Sequence, residues 1–175
     1  MEAVTATDES GVQYYVACTS HPQYSSKAWQ GSPVYQVSVP GKDRYAFLVR
    51  TRDESRYENM SLDSDCVTVD LKPPTPDPMT WSADGQPLFL LLGPNTMTDY
   101  WALMEATQAD DESSMVEYYF KCWDNSGFSS GWQASRSYTV QLGGSWLAGY
   151  SFQVKARDKD GNETAWSART PMTRP

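Results

Sequence analysis

Histidine occurs once in this chain, at His21, and cysteine three times. No apolar run approaches the roughly 20 residues that a membrane-spanning helix needs. A single histidine gives no zinc spacing, and neither a nucleophile elbow nor a glycine-rich phosphate loop is present. Catalysis therefore has little to stand on, and His21, beside Pro22, reads as a surface loop residue. The acidic residues are numerous enough to include a glycosidase pair by count alone, but a chain of this organisation offers no obvious deep cleft. Basic residues are also scarce. Lys and Arg number 14 against 22 Asp and Glu, leaving a formal charge of −8. That excludes the cationic surface on which nucleic-acid binding depends. It also disfavours heavily sulfated polyanions, unless bound calcium reverses the local field. Helical periodicity is missing too, because Pro, Gly and Ser interrupt every stretch in which it could develop.

Aromatics and repetition are what the chain has in abundance. Aromatic residues make up 13%, with 7 Trp and 11 Tyr. Met1-Glu-Ala-Val-Thr-Ala-Thr-Asp-Glu-Ser10 returns as Met104-Glu-Ala-Thr-Gln-Ala-Asp-Asp-Glu-Ser113. Val12-Gln-Tyr-Tyr-Val-Ala-Cys18 returns as Val116-Glu-Tyr-Tyr-Phe-Lys-Cys122, and Trp29-Gln30 as Trp132-Gln133. Tyr45-Ala-Phe-Leu-Val-Arg-Thr-Arg-Asp53 returns as Tyr150-Ser-Phe-Gln-Val-Lys-Ala-Arg-Asp158. The period is that of a small domain, too long for a solenoid unit. Met1 aligns with Met104, well inside the second copy, and nothing in the first copy matches Pro73 to Leu103. The first copy is therefore expected to lack strand A and part of strand B, with Met1 either internal to a longer chain or an unusual start. An incomplete sandwich has an open edge and a gap in its core, to be filled by a neighbouring molecule, an upstream segment or the second copy.

Between the matched segments the pattern is of short strands separated by turn residues. Strands are expected at Val12–Cys18, Val34–Val39, Tyr45–Arg52 and Cys66–Leu71, and again at Val116–Cys122, Tyr138–Leu142, Tyr150–Arg157 and Ala165–Thr170. Four prolines within residues 73–78 mark the boundary as a short, stiff, extended connector. The domains are read as 1–72 and 73–175. Three cysteines cannot all pair internally. Cys18 and Cys122 are equivalent and fall on the apolar face of their strands, as small buried hydrophobes do. A Cys18–Cys66 disulfide is the alternative in an oxidising compartment.

The segment Val39-Pro-Gly-Lys-Asp-Arg-Tyr45-Ala-Phe-Leu-Val-Arg50 resembles the E–F corner of fibronectin type III-like (immunoglobulin-like) domains. The resemblance implies an all-β chain of two tandem β-sandwiches, with Tyr45 and Tyr150 as corner tyrosines whose hydroxyls bond the backbone upstream. In the second copy the stretch 143–149 is longer and lacks the proline, so its corner is expected to be distorted. Pro78-Met-Thr-Trp81, Val116 to Cys122, Ser130-Gly-Trp-Gln133 and Val154-Lys-Ala-Arg-Asp158 resemble repeats in large secreted bacterial proteins that often carry polysaccharide-degrading domains.

Two groups of residues are candidates for a site. Acidic turns at Asp110, Asp111, Asp158, Asp160 and Asn162 lie, on this fold, at one end of the second sandwich, where oxygen ligands could converge on calcium; the alternative is solvated turn chemistry. Among the aromatics, Trp29, Trp132, Trp123, Tyr119, Tyr15 and Phe128 are candidates for a carbohydrate-stacking platform. Tyr15 and Tyr119 face away from the core that Tyr14 and Tyr118 enter. Trp123, Phe128 and Trp146 read as unmatched in the first copy and so as unit-specific. The alternative for Trp29 and Trp132 is structural cover of the sandwich edge. Trp81 and Trp166 read as packing residues. Asn59-Met-Ser61 and Asn162-Glu-Thr164 match the N-glycosylation pattern, but their equivalent places favour turn capping.

The expectation is a non-catalytic module of a secreted or cell-surface protein. It would bind polysaccharide or space neighbouring domains, without nucleic acid and without a membrane span. The alternatives are an assembly module completed by a strand-donating protein partner, and an ectodomain binding a protein at the proline-rich elbow.

Overall fold

The computed structural model describes residues 1–91, 100–142 and 149–173. The chain forms two compact units, Met1–Lys72 and Pro73–Pro175. The strands are β1 (Val12–Cys18), β2 (Arg44–Asp53), β3 (Val67–Asp70), β4 (Leu88–Leu91), β5 (Tyr100–Glu105), β6 (Val116–Cys122), β7 (Trp132–Gln133), β8 (Ser137–Gln141), β9 (Ser151–Asp158) and β10 (Thr170–Pro171). Among the described residues, two short 3₁₀ turns interrupt the strands, at Pro22–Tyr24 and Ser126–Phe128. The fold is all-β, and among the described residues no helix is long and apolar enough to cross a membrane.

Unit two is a two-sheet sandwich. One sheet has the order β10-β9-β6-β7 and the other β4-β5-β8. Alternation drives both. On β6 the residues Tyr118, Phe120 and Cys122 point inward and are buried, opposite Phe152, Val154 and Ala156 of β9. The facing sheet contributes Tyr100, Ala102 and Met104, and Met79 and Ala106 close the core. Such period-2 patterning commits one face of each strand to the interior. Gly85 is required where it sits. A Cβ there would lie 2.2 Å from the Glu105 carbonyl, and its own carbonyl accepts the Glu105 N–H.

Unit one repeats the first of these sheets and little of the second. β1 pairs with β2 and β2 with β3, all antiparallel. The register Cys18↔Phe47 repeats Cys122↔Phe152. Opposite this sheet stands a remnant, a single bridge between Glu2 and Val34. The fully buried cluster shrinks accordingly to Val16, Cys18, Tyr45 and Phe47. Val34–Val39 is therefore not a strand. Tyr35, Val37 and Val39 still pack on the core, as Tyr138 and Val140 do in unit two. Without a counterpart of Tyr100–Leu103 beside them, however, they have no ladder to join.

Two further expectations change. The prolines from Pro73 onward are not a free connector, since this segment is fastened to unit two. Thr75 and Asp110 exchange backbone hydrogen bonds of 2.9 Å, and the Asp77 carboxylate accepts the Ala165 N–H. Ala165–Thr170 is not a regular strand. Residues 164–167 run beside β9 but are tied to it partly through hydroxyls: Ser167 Oγ accepts from the Val154 N–H, and Thr164 Oγ1 from the Ala156 N–H. Ser64 and Ser61 do the same for Val49 and Thr51 in unit one. This accounts for Ser61 and Thr164 of the two glycosylation-like triplets. Their asparagines, Asn59 and Asn162, donate to the carboxylates of Asp53 and Asp158. Cys18 and Cys122 are buried, as their reading as small hydrophobes has it, Cys66 is exposed, and none of the three is in a disulfide.

In unit one the corner is as the resemblance implied. Tyr45 is buried and its hydroxyl donates to the Pro40 carbonyl at 2.5 Å. The second corner falls at 143–148, outside the described residues, as does Trp146. A second tyrosine contact recurs in both units. The Tyr14 hydroxyl accepts the Ala6 N–H and the Tyr118 hydroxyl the Ala109 N–H, each at 2.8 Å.

The hydroxyl ties give a paired test. Ser167 is 2% exposed, so Ser167→Ala leaves the buried Val154 N–H without an acceptor and should cost about 1–3 kcal/mol. Ser64→Ala, at the exposed equivalent, should cost less because water replaces the hydroxyl. Urea denaturation with amide exchange at Val154 and Val49 measures both.

Candidate functional site

The outer face of the β10-β9-β6-β7 sheet carries an alternating row of cations and indoles. β9 sends Lys155 and Arg157 outward, and β6 sends Tyr119 and Lys121. Trp132 stands on β7, Trp166 on the hydroxyl-tied segment, and Trp123 just beyond β6. Arg157 lies 4.2 Å from the Trp132 ring centre and Lys155 lies 5.1 Å from it. Lys155 also lies 4.8 Å from Trp166, and Lys121 5.7 Å from the same ring. Lys121 then sits 3.7 Å over Trp123, which Arg169 approaches at 5.5 Å. The order is Arg157, Trp132, Lys155, Trp166, Lys121, Trp123, Arg169. The Tyr119 ring meets Trp132 and Trp166 edge-on.

Such contacts exist because an indole face carries negative charge density. Each is worth about 0.5–1 kcal/mol at an exposed site. The lysine and arginine stems also cover the rings with methylene groups. Carboxylates fix the outer ends of the cations. Arg157 pairs with Glu117 at 2.6 Å, Lys155 with Glu163, and Arg169 with Asp124 at 3.1 Å. Lys121 has no carboxylate partner among the described residues. The Trp123 indole N–H donates to Gln153 Oε1 at 2.5 Å.

The arrangement decides what each candidate aromatic can offer. Trp132 and Tyr119 are half-buried, with Trp132 held between two cations. Trp123 is 48% exposed and is the indole of the row that keeps substantial open surface. Phe128 does not belong to this face. It packs edge-on against Tyr150 at 5.3 Å, as Tyr24 packs against Tyr45 at 5.6 Å in unit one. Tyr24 is thus its equivalent, and the reading of Phe128 as specific to unit two is corrected. The sequences around the two 3₁₀ turns share only serines, which hid the match. In unit one Tyr15 contacts Trp29 at 5.5 Å and Arg52 lies 4.8 Å from the Trp29 ring. The row stops there. Asp63 stands where unit two has Trp166, and it pairs with Arg50 instead. Thr19 stands where unit two has Trp123.

Trp166 and the four cations are members of this row that sequence reasoning missed. A signal was present in the alternation Lys155-x-Arg157, which places two cations on one face of a strand beside Tyr119.

The acidic candidates form turns at one end of unit two, since Val116 pairs with Asp158. The Asp158 carboxylate accepts the N–H groups of Asp160 and Asn162 and the Asn162 side-chain amide. Asp111 accepts the Ser113 N–H, and Asp110 is exposed. Among the described residues, no three acidic, histidine or cysteine side chains gather as ligands for a metal ion. The equivalent Asp53 binds the Asn59 amide and the Ser55 and Asn59 N–H groups. The Asn59 side-chain hydrogen bond leads in holding the Asp53 carboxyl below its ordinary value.

His21 accompanies the unit-one corner. Its Nε2 lies 3.1 Å from Asp43, its Nδ1 3.0 Å from Ser20 Oγ, and its ring 4.9 Å from Tyr45. The Ser20 hydroxyl accepts the Ala46 N–H at 3.0 Å. That bond gives the serine a structural task that Asp124 performs for the Ser151 N–H in unit two.

No family model matches the chain, and no curated protein matches it. Among solved structures, the FN1-FN3 domains of chicken CNTN1 are similar at 10% identity with a TM-score of 0.36. That match covers 94% of this chain and 57% of that one. Nothing about function follows from a likeness of that degree.

Two tests probe these arrangements. Trp166→Ala removes the central indole from between Lys155 and Lys121 and should destabilise unit two by about 2–3 kcal/mol, measured by urea denaturation. For Asp53, a lowered carboxyl value means stabilisation present above the ordinary value and lost as pH falls through the folded one. Acid titration followed by amide exchange at Asn59 should show the turn opening below about pH 4, and Asp53→Asn should remove that dependence.

Proposed function

We propose that the chain is a non-catalytic accessory module that binds carbohydrate or spaces neighbouring domains, with its binding surface on the cation–indole face of unit two. The observation that carries this reading is Trp123. It is a half-exposed indole just beyond the end of β6, flanked by Lys121, Gln153 and Arg169, at a position where unit one has Thr19. Sugar rings present apolar C–H faces that suit an indole, and their hydroxyls suit amide and cationic donors. Trp132 and Tyr119 serve this surface as its rigid bed, and Trp29 with Tyr15 form the shorter counterpart in unit one. Calcium enters as a condition to vary, with Asp110, Asp111, Asp158, Asp160 and Asn162 as the oxygen donors at the adjoining end. A secreted or cell-surface location belongs to the same proposal.

A second reading has its own observation. Unit one lacks most of one sheet, which favours an assembly module completed by a strand from a partner.

Affinity electrophoresis through gels containing neutral and acidic polysaccharides, with calcium and with chelator, tests the first reading. Retardation by one glycan should be lost in Trp123→Ala and retained in Trp29→Ala. Unchanged mobility in every gel would remove carbohydrate binding and leave the spacer role.

A further inference from the structure

Three cross-strand pairs line the outer face of β6 and β9: Glu117 with Arg157, Tyr119 with Lys155, and Lys121 with Gln153. Carboxylates are spread unevenly over the cations. Arg157 has Glu117, Lys155 has Glu163, and Arg169 has Asp124. Opposite Lys121 stands a neutral amide instead. The Lys121 ammonium lies 3.7 Å from the Trp123 ring centre and 5.7 Å from that of Trp166, and it meets no oxygen among the described residues. The side chain is half-buried, so ring faces replace part of the water that would solvate the charge.

The polar groups around it are already committed. Gln153 fixes the indole: its Oε1 accepts the Trp123 N–H at 2.5 Å, and its Nε2 donates to the Ser167 carbonyl at 2.5 Å. Asp124 accepts the Ser151 N–H at 2.7 Å and the Ser151 hydroxyl at 2.8 Å, besides its pairing with Arg169. Arg169 Nε donates to Ser151 Oγ at 2.7 Å. A rigid, half-exposed indole thus stands beside a cation whose donors lack an acceptor.

The sheet itself does not require this cluster. Lys121, Trp123, Gln153 and Arg169 correspond to Ala17, Thr19, Leu48 and Cys66. Ala17 pairs with Leu48 in the register that joins Lys121 to Gln153. The backbone pairing is kept, and none of the four side chains recurs.

We propose that the cluster is a subsite for a uronic acid unit of a polysaccharide, with the sugar carboxylate on the Lys121 ammonium and the apolar C–H face of the ring on the open surface of Trp123. The inference rests on the carbohydrate reading above and adds the charge of the sugar. A neutral sugar brings hydroxyls that leave the Lys121 charge unbalanced. A carboxylate balances it, and a charge-assisted hydrogen bond is about twice as strong as a neutral one. One unpaired cation suits one carboxylate per ring. A densely sulfated chain would bring more negative charge than this site balances, against a protein of net charge −8.

Affinity electrophoresis of the whole chain tests this, run in chelator so that calcium cannot bridge carboxylates. The gels contain polygalacturonate, alginate, the carboxyl-reduced form of each, and polyglutamate. One polyuronate should bind about tenfold tighter than its reduced form. Lys121→Gln should bring the two to the same weak affinity, Lys121→Arg should keep the difference, and Trp123→Ala should remove binding of both. Equal retardation by the native and reduced polymers, lost in Trp123→Ala, would overturn the uronate assignment and leave carbohydrate binding standing. A preference for the native polymer that survives Lys121→Gln would overturn it as well. Polyglutamate retarding the chain as strongly as the polyuronates would overturn it in favour of an acidic polypeptide. No retardation by either polyuronate, for protein with native amide dispersion, would overturn it too, and retardation by a neutral polysaccharide would then show that the broader reading survives.

Discussion

The antiparallel pairing of two long strands fixes everything else in each unit: β1 with β2, and β6 with β9. Its register sets Tyr14, Val16 and Cys18 opposite Thr51, Val49 and Phe47, and Tyr118, Phe120 and Cys122 opposite Ala156, Val154 and Phe152. The same pleat throws the intervening residues onto the opposite face. Core and outer surface are thus two readings of one alternation, and neither can shift by a residue without exchanging places with the other. The hydroxyl ties from Ser64 and Ser167 hang on this pair. So do the tyrosine contacts to Ala6 and Ala109, and the outward row of lysine, arginine and tryptophan.

The two units show how far one framework tolerates divergence. Both keep the long pair, the Asp–Asn turn after its second strand, and the glutamine side chain that holds the following loop. The latter is seen in the bonds of Gln30 to Ser32 and Val34 and of Gln133 to Ser135 and Ser137. They differ where a single substitution changes the partner of a cation. Asp63 turns Arg50 into one half of an ion pair, whereas Trp166 turns Lys155 into a rung between two indoles. They differ also in the number of elements facing the pair. The buried cluster of Val16, Cys18, Tyr45 and Phe47 in unit one is much smaller than its counterpart in unit two. The apolar side chains left exposed around its open side follow from that shortfall.

Much of this was legible in the sequence, because alternation and repetition are local signals. Val12–Cys18 and Val116–Cys122 announce their strands by period alone, and Pro40 with Tyr45 announces the corner. The gap opposite β1 was legible from the offset between Met1 and Met104. Other features were not. Val34–Val39 has the composition of a strand and the alternation of one, yet a strand is completed by its neighbour, and that neighbour is missing. The prolines at 73–78 look like a linker because composition does not reveal that the Asp77 carboxylate reaches Ala165. The cation–indole row was hidden for a similar reason. Its members come from four separate segments, and only the fold brings Lys121, Lys155 and Trp166 together. Phe128 misled because the alignment around it rests on serines.

The exchange of Asp63 for Trp166 has a bearing on the ionic environment each unit can endure. An exposed ion pair such as Arg50–Asp63 is screened as salt rises, with a Debye length of about 3 Å at 1 M. A cation pressed onto an indole has a neutral partner and a contact too short for mobile ions to enter. In brine, therefore, the Arg50–Asp63 pair of unit one slackens, as do the carboxylate ties of unit two, while the cation–indole contacts of both faces keep their geometry.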